Sequence, residues 1–218
     1  MKTQSLLLLR ALCLGAACLA APAALADAKP AARHDLAVET QGINTRFLLQ
    51  NHFGQAVTDG DFAGRYMLIA FGFTFCPDVC PTTLSEMASV LALLGDQAKE
   101  VQPLFITVDP ARDTLKVLRE YTAVFDKRIL GLRGSPELTA RIAEHYKVRY
   151  QKVQEPRQKH YTMAHSTGLF LVGPKGAFLN RFAYGATAQE IAQRIRTHIA
   201  ENPKEAAATP DAAPRNGK

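Results

Sequence analysis

The chain has 218 residues, 47% of them hydrophobic, and a formal net charge of +6 from 26 basic and 20 acidic side chains. That length supports one domain with a substantial core plus tails. So mild a charge argues against a nucleic-acid surface, and no such partner is expected.

Residues 1–26 begin with Lys2, the Leu6 to Leu9 run and Arg10, and end on Ala24-Leu25-Ala26 before Asp27. This is the pattern of a secretory signal peptide with an A-x-A cleavage site, and it predicts an exported, periplasmic protein. An uncleaved anchor to the inner membrane is the second reading, although Arg10 leaves an apolar run shorter than the ~20 residues that span a bilayer. Lipidation at Cys18 is the third, with Gly15 standing where such signals usually carry a larger aliphatic residue. Cleavage removes Cys13 and Cys18 and leaves only Cys76 and Cys80, in a setting where an unprotected thiol pair tends to oxidise.

Residues 27–44 show no clear period and read as a linker, and the domain is expected over 45–202. Arg46 to Gln50 predicts a short strand, followed by a turn through Gln55 and a break at Asp59-Gly60-Asp61. Tyr66 to Phe71 is a continuous apolar run of strand length, as in a strand buried on both faces. Leu84, Met87, Ala88, Leu91 and Leu94 then recur at helical spacing, so Cys76 and Cys80 sit at a strand-to-helix junction. Leu104 to Val108 predicts the next strand, completing a right-handed βαβ unit.

Asp113 or Thr114 is placed to cap a second helix carrying Leu115, Leu118, Tyr121 and Phe125, and Ser135-Pro136 opens a third that runs to Tyr146. Val148 to Val153 is strand-like and Gln154 to His160 a polar loop. Thr167 to Val172, the Gly173-Pro174-Lys175-Gly176 turn and Ala177 to Phe182 predict a β-hairpin. Ala188, Ile191, Ala192, Ile195 and Ile199 mark a last helix, and residues 203–218 read as a disordered tail. This order of elements predicts an α/β, thioredoxin-like fold: a central mixed sheet flanked by helices.

Three residues separate Cys76 from Cys80, which in helical geometry puts both sulfurs on one face. A thiolate at a helix N-terminus is stabilised by unpaired N–H groups and the dipole, which favours metal binding and nucleophilic chemistry. A structural disulfide is the plain alternative. Helical i, i+4 Cβ atoms lie about 5–6 Å apart, however, beyond the roughly 3.5–4.5 Å a disulfide needs. Closing so small a loop would also remove little unfolded-state entropy.

Six histidines are candidates for a third donor. His34 lies in the linker, His52 in a turn, His145 and His198 on helices, and His160 in the polar loop. His165 differs because it directly precedes the apolar strand run, so a rigid element places it at a sheet end. By position alone it is either a ligand or an ordinary histidine. Taken with the cysteines it makes a Cys2His set with no fourth donor in view, which suits copper better than a closed zinc site.

Three motifs resemble the Sco (SenC) family, thioredoxin-like copper chaperones of cytochrome c oxidase assembly. Phe71-Gly72-Phe73-Thr74-Phe75-Cys76-Pro77-Asp78-Val79-Cys80-Pro81-Thr82 resembles the copper-site loop, Val108-Asp109-Pro110-Ala111-Arg112-Asp113-Thr114 the second motif, and His165-Ser166 the histidine motif. The resemblance covers roughly Arg46 to Glu201. It implies Cys76, Cys80 and His165 as ligands of Cu(I) or Cu(II), with Asp109 supporting them from behind. It also implies delivery to the copper-site subunit of cytochrome c oxidase, exchange with other copper chaperones and a possible membrane tether. Ala164 departs from the acidic residue the family often carries before its histidine.

The plain readings of the second motif are an Asp-Pro turn at Asp109, a solvated or ion-paired Arg112 and a helix cap at Asp113. Met163 reads as a packing residue and Asp78 as solvent-facing. Two other functional classes remain. A thiol–disulfide oxidoreductase would use the same cysteines, although thioredoxins place two residues between theirs rather than three. A redox or copper sensor would share the site and differ in partner.

Overall fold

In this computed structural model the described residues are 42–154, 156 and 159–202. The expected signal or anchor segment 1–26, linker residues 27–41 and the tail 203–218 lie outside them. Among the described residues no helix is long and apolar enough to cross a membrane.

Among the described residues nine strands and four α-helices follow one another: β1 (Leu48–Asn51), β2 (Ala56–Thr58), β3 (Tyr66–Gly72), α1 (Val79–Leu94), β4 (Val101–Thr107), α2 (Leu115–Phe125), β5 (Leu130–Arg133), α3 (Pro136–His145), β6 (Tyr150–Val153), β7 (Thr162–His165), β8 (Leu169–Val172), β9 (Phe178–Phe182) and α4 (Ala188–Glu201). Seven strands form one mixed sheet in the order β2-β1-β5-β4-β3-β8-β9, and β6 and β7 form a separate two-stranded ribbon. β3 pairs parallel with β4 and antiparallel with β8, which puts it inside the sheet.

Every residue of β3 is buried, as its unbroken apolar run predicts. Its alternate side chains feed two cores. Tyr66, Leu68 and Ala70 pack with Leu84, Met87 and Leu91 of α1, Leu118 of α2 and Ile191 and Ile195 of α4. Met67, Ile69 and Phe71 point the other way, to Leu49, Ile142, Tyr146 and Phe170. The sheet therefore carries helices on both faces, the thioredoxin-like arrangement expected from the sequence.

Caps follow side-chain chemistry. The Thr114 and Ser135 oxygens accept from the Val117 and Leu138 amides, with Pro136 in the first turn, and Thr187 with Glu190 forms a capping box. Local details go beyond the sequence reading or correct it. The break at 59–61 is a 3-10 turn closed by Thr58 and Asp61. β2 and β5 were not legible because each is very short, and β5 contains a glycine. The strand read over Val148 to Val153 is confined to Tyr150–Val153 and pairs with β7, a strand too short and too polar to show a period. Helix α1 starts at Val79, so of the two cysteines at the strand-to-helix junction only Cys80 is helical, and Pro77 biases Cys76 before it away from helical backbone.

His52 is buried rather than a free turn residue, and its Nδ1 accepts the Gly131 amide at 3.1 Å. Burial, then the charge of Arg119, lowers its pKa to about 4. The folded state thus binds fewer protons than the unfolded chain between pH 6.5 and about 4, and stability falls as pH drops through that window. Urea unfolding at pH ~7.5 and ~5 is expected to show a loss of up to about 2 kcal/mol that His52→Gln largely removes. An unchanged pH slope in the variant would contradict this assignment.

Candidate metal centre

The centre is built where β3 ends and α1 begins. Cys76 precedes the helix, and its Sγ accepts the Cys80 amide at 3.4 Å. The Asp78 side chain makes no cap bond, so this sulfur takes up one of the unpaired N–H groups of the first turn. Cys80 sits in that turn and is only 2% exposed. Gly72 makes room for it: a Cβ there would stand 2.8 Å from the Cys80 Sγ and 2.8 Å from the Phe105 ring.

His165 ends β7, paired across the ribbon with Tyr150, and its Nε2 lies 3.5 Å from the Cys80 Sγ. Its Nδ1 is 2.8 Å from the Ser166 carbonyl and donates to it, which leaves the Nε2 lone pair facing the sulfurs. Phe73 meets the imidazole edge-on at a centroid distance of 5.8 Å. The donor atoms of Cys76, Cys80 and His165 all lie within 4.8 Å of one another, so the structure brings together the three residues expected to act as ligands. Both cysteines are free thiols.

Burial pushes the Cys80 thiol well up, and a backbone hydrogen bond from Phe73 offsets only part of this. The expectation that the helix end would favour its thiolate is therefore reversed at Cys80, where desolvation dominates. Burial also lowers the His165 pKa, against the opposing bond to Ser166, and keeps the ring neutral and able to ligate. Two sulfurs and one imidazole form a soft donor set that fits a thiophilic metal and leaves coordination open for an incoming ligand.

The second motif buttresses the loop from behind. Asp113 is fully buried and accepts from the Thr74 amide at 3.1 Å and from the Thr74 hydroxyl at 2.6 Å, and the Thr107 hydroxyl also donates to it. Burial raises its pKa despite these bonds. The cap reading of Asp113 is thus corrected, since Thr114 caps α2 and Asp113 anchors the cysteine loop. Two adjacent residues competing for one cap were the signal that one had another task. Asp109 is buried too, but its carboxylate is taken up by the Arg112 Nε and by the Tyr161 hydroxyl at 2.8 Å. Its link to the donors runs through the Arg112 guanidinium, which lies 5.7 Å from the Phe73 ring centroid. Arg112 is therefore ion-paired, and nothing in its local sequence points to its aromatic surroundings.

The other histidines stand apart. His145 bonds the Arg46 carbonyl, His198 bonds the Asn180 amide oxygen at 2.8 Å, and His160 is exposed. Met163 packs against the core and Asp78 is exposed, as expected. His34 lies outside the described residues.

The family model described as SCO1/SenC matches residues 37–200. The chain belongs to the SCO1/SenC family. The mitochondrial SCO2 homolog of Bos taurus is 37% identical over 156 residues, covering 71% of this chain and 59% of the bovine protein. The chain thus matches less than two thirds of that relative's length. Among solved structures, Bradyrhizobium japonicum ScoI with copper bound is 38% identical with a TM-score of 0.66, covering 71% of this chain and 98% of that one. Yeast Sco1 with copper bound is 30% identical with a TM-score of 0.65, covering 77% and 94%.

The space at Gly72 gives a direct test. Gly72→Ala forces its new methyl into the Cys80 sulfur and the Phe105 ring, and overpacking of this kind costs about 1–3 kcal/mol. Urea denaturation is expected to show that loss, and metal titration a weakened site. Wild-type stability and affinity would show that the contact is easily relieved.

Proposed function

We propose that this protein binds copper through Cys76, Cys80 and His165 and passes it to the binuclear copper site of cytochrome c oxidase during assembly. The observation that carries this reading is the convergence of two thiols and one imidazole nitrogen within 4.8 Å, in a chain whose Sco relatives hold copper. The residues fit the cargo. Three soft donors bind copper in either oxidation state and stop short of the four ligands that close a structural zinc site.

The unequal burial of the donors supports delivery by ligand exchange. Cys80 is buried, whereas Cys76 and His165 are each partly open to solvent. An incoming thiolate or imidazole from the recipient enters on the open side, displaces His165 or Cys76 first and takes the metal from Cys80 last. Asp113 and Gly72 keep the loop and the buried sulfur in place while this happens. The compartment proposed is the periplasm, with residues 1–26 acting as signal or anchor, a reading supported by the Lys2 to Ala26 pattern.

Copper titration of the reduced protein, followed by absorption, tests the ligand set. Wild type is expected to bind one Cu(II) with an intense thiolate-to-copper charge-transfer band. Cys76→Ser or Cys80→Ser, each leaving one thiolate, should weaken and shift that band, and His165→Ala should shift it and weaken binding by at least roughly tenfold, about 1.4 kcal/mol. Absent copper binding together with rapid disulfide exchange against a model dithiol would instead favour the thiol–disulfide oxidoreductase.

A further inference from the structure

The loop that carries Cys76 also displays an aromatic ring to solvent. Phe75 is 58% exposed, although it sits between the half-buried Thr74 and Cys76. Its ring does not hang free, because the Arg112 guanidinium lies 4.8 Å from its centroid and only 3.7 Å from that of Tyr161. Arg112 donates through Nε to Asp109 and through Nη1 to the Tyr161 carbonyl at 2.8 Å. Its Nη2 is buried and has no hydrogen-bond partner among the described residues. A buried cationic donor left unpaired is costly, and an anion reaching it would relieve that cost.

Positive charge continues along the surface from this point. Lys152 of β6 is exposed and holds its Nζ 3.8 Å from the Tyr161 ring centroid. The sequence from Lys147 to His165, which ends on a metal donor, contains five lysines and arginines against the single acid Glu155. A rigidly backed, exposed aromatic beside a desolvated arginine is the composition of an interface centre rather than of an ordinary surface. The positive charge of Lys152 beside it, in a stretch of basic composition, selects an acidic counterpart and disfavours a second copy of this chain.

We propose that Phe75, Arg112 and Lys152 form the docking surface for an acidic segment of the protein that exchanges copper with this one. The inference rests on the delivery reading and specifies its partner. Phe75 enters an apolar pocket of the partner. As the ring leaves Arg112, Nη2 becomes accessible to a partner carboxylate, and a second carboxylate pairs with Lys152. Docking at this face brings the partner's own ligands next to Cys76, the more open of the two sulfurs.

The test uses the full chain in the metal-free state and two synthetic peptides of equal length, one alternating Asp or Glu with Leu and one alternating Lys with Leu. Amide chemical shifts are followed by NMR during titration with each. The acidic peptide is expected to shift Phe75, Arg112 and the β6–β7 ribbon, with an affinity that falls as ionic strength rises from about 0.02 to about 0.3 M. Lys152→Glu should weaken its binding by at least roughly tenfold at low salt, while the copper charge-transfer band of that variant stays as in wild type. Equal binding of the two peptides, shifts confined to another face, or the same shifts arising from self-association without peptide would each overturn the proposal. The two readings fail separately. A wild type that forms no copper–thiolate band sinks the delivery reading, whereas an intact band with no preference for the acidic peptide sinks the docking surface alone.

Discussion

The metal centre depends on one close packing, that of the Cys80 sulfur against the backbone of Gly72 at the end of β3. A side chain at position 72 would occupy the space of the sulfur and of the Phe105 ring. Because β3 is buried on both faces and paired on both sides, its end is among the stiffest points of the molecule. A sulfur resting on it has little freedom, and the other two donors are assembled around this fixed one. Cys76 comes from the loop and is tied to the helix by accepting the Cys80 amide. His165 comes from a ribbon outside the main sheet, with its free nitrogen oriented by the bond from Nδ1 to the Ser166 carbonyl.

This arrangement grades the donors from fully buried to partly open to solvent. Desolvation makes the buried Cys80 thiol reluctant to ionise by itself, so a metal must displace its proton. The supports are graded in the same way. Asp113 ties the cysteine loop to Thr107 at the end of β4, deep in the sheet. Asp109, Arg112 and Tyr161 join that motif to the segment leading into β7, so one short stretch after β4 braces the cysteine side and the histidine side together. Such bracing holds the donors near a binding geometry without closing the site.

Most of the framework was legible in the sequence because its signals are physical regularities. The unbroken apolar run of β3, the helical spacing in α1 and α4 and the turn between β8 and β9 each leave a pattern of sufficient length. Cys76, Cys80 and His165 were legible as residue types at meaningful positions. What stayed hidden was set by tertiary packing. β7 has four residues and no alternation, so the element that positions His165 could not be read. Asp113 looks like any capping aspartate until Thr114 is seen to do the capping, and the stacking of Arg112 on three aromatic rings joins residues from two distant parts of the chain. The Cys80 shift runs against the local signal for the same reason, since the helix end is a local feature and desolvation is not.

The central claim is that these three side chains bind one copper ion together. X-ray absorption at the copper edge of the loaded protein measures this most directly. The structure leads to two sulfur scatterers and one imidazole nitrogen in the first coordination sphere, with the imidazole signal lost in His165→Ala and one sulfur lost in Cys76→Ser. A sphere of nitrogen and oxygen alone, or one left unaltered by both substitutions, would contradict the account.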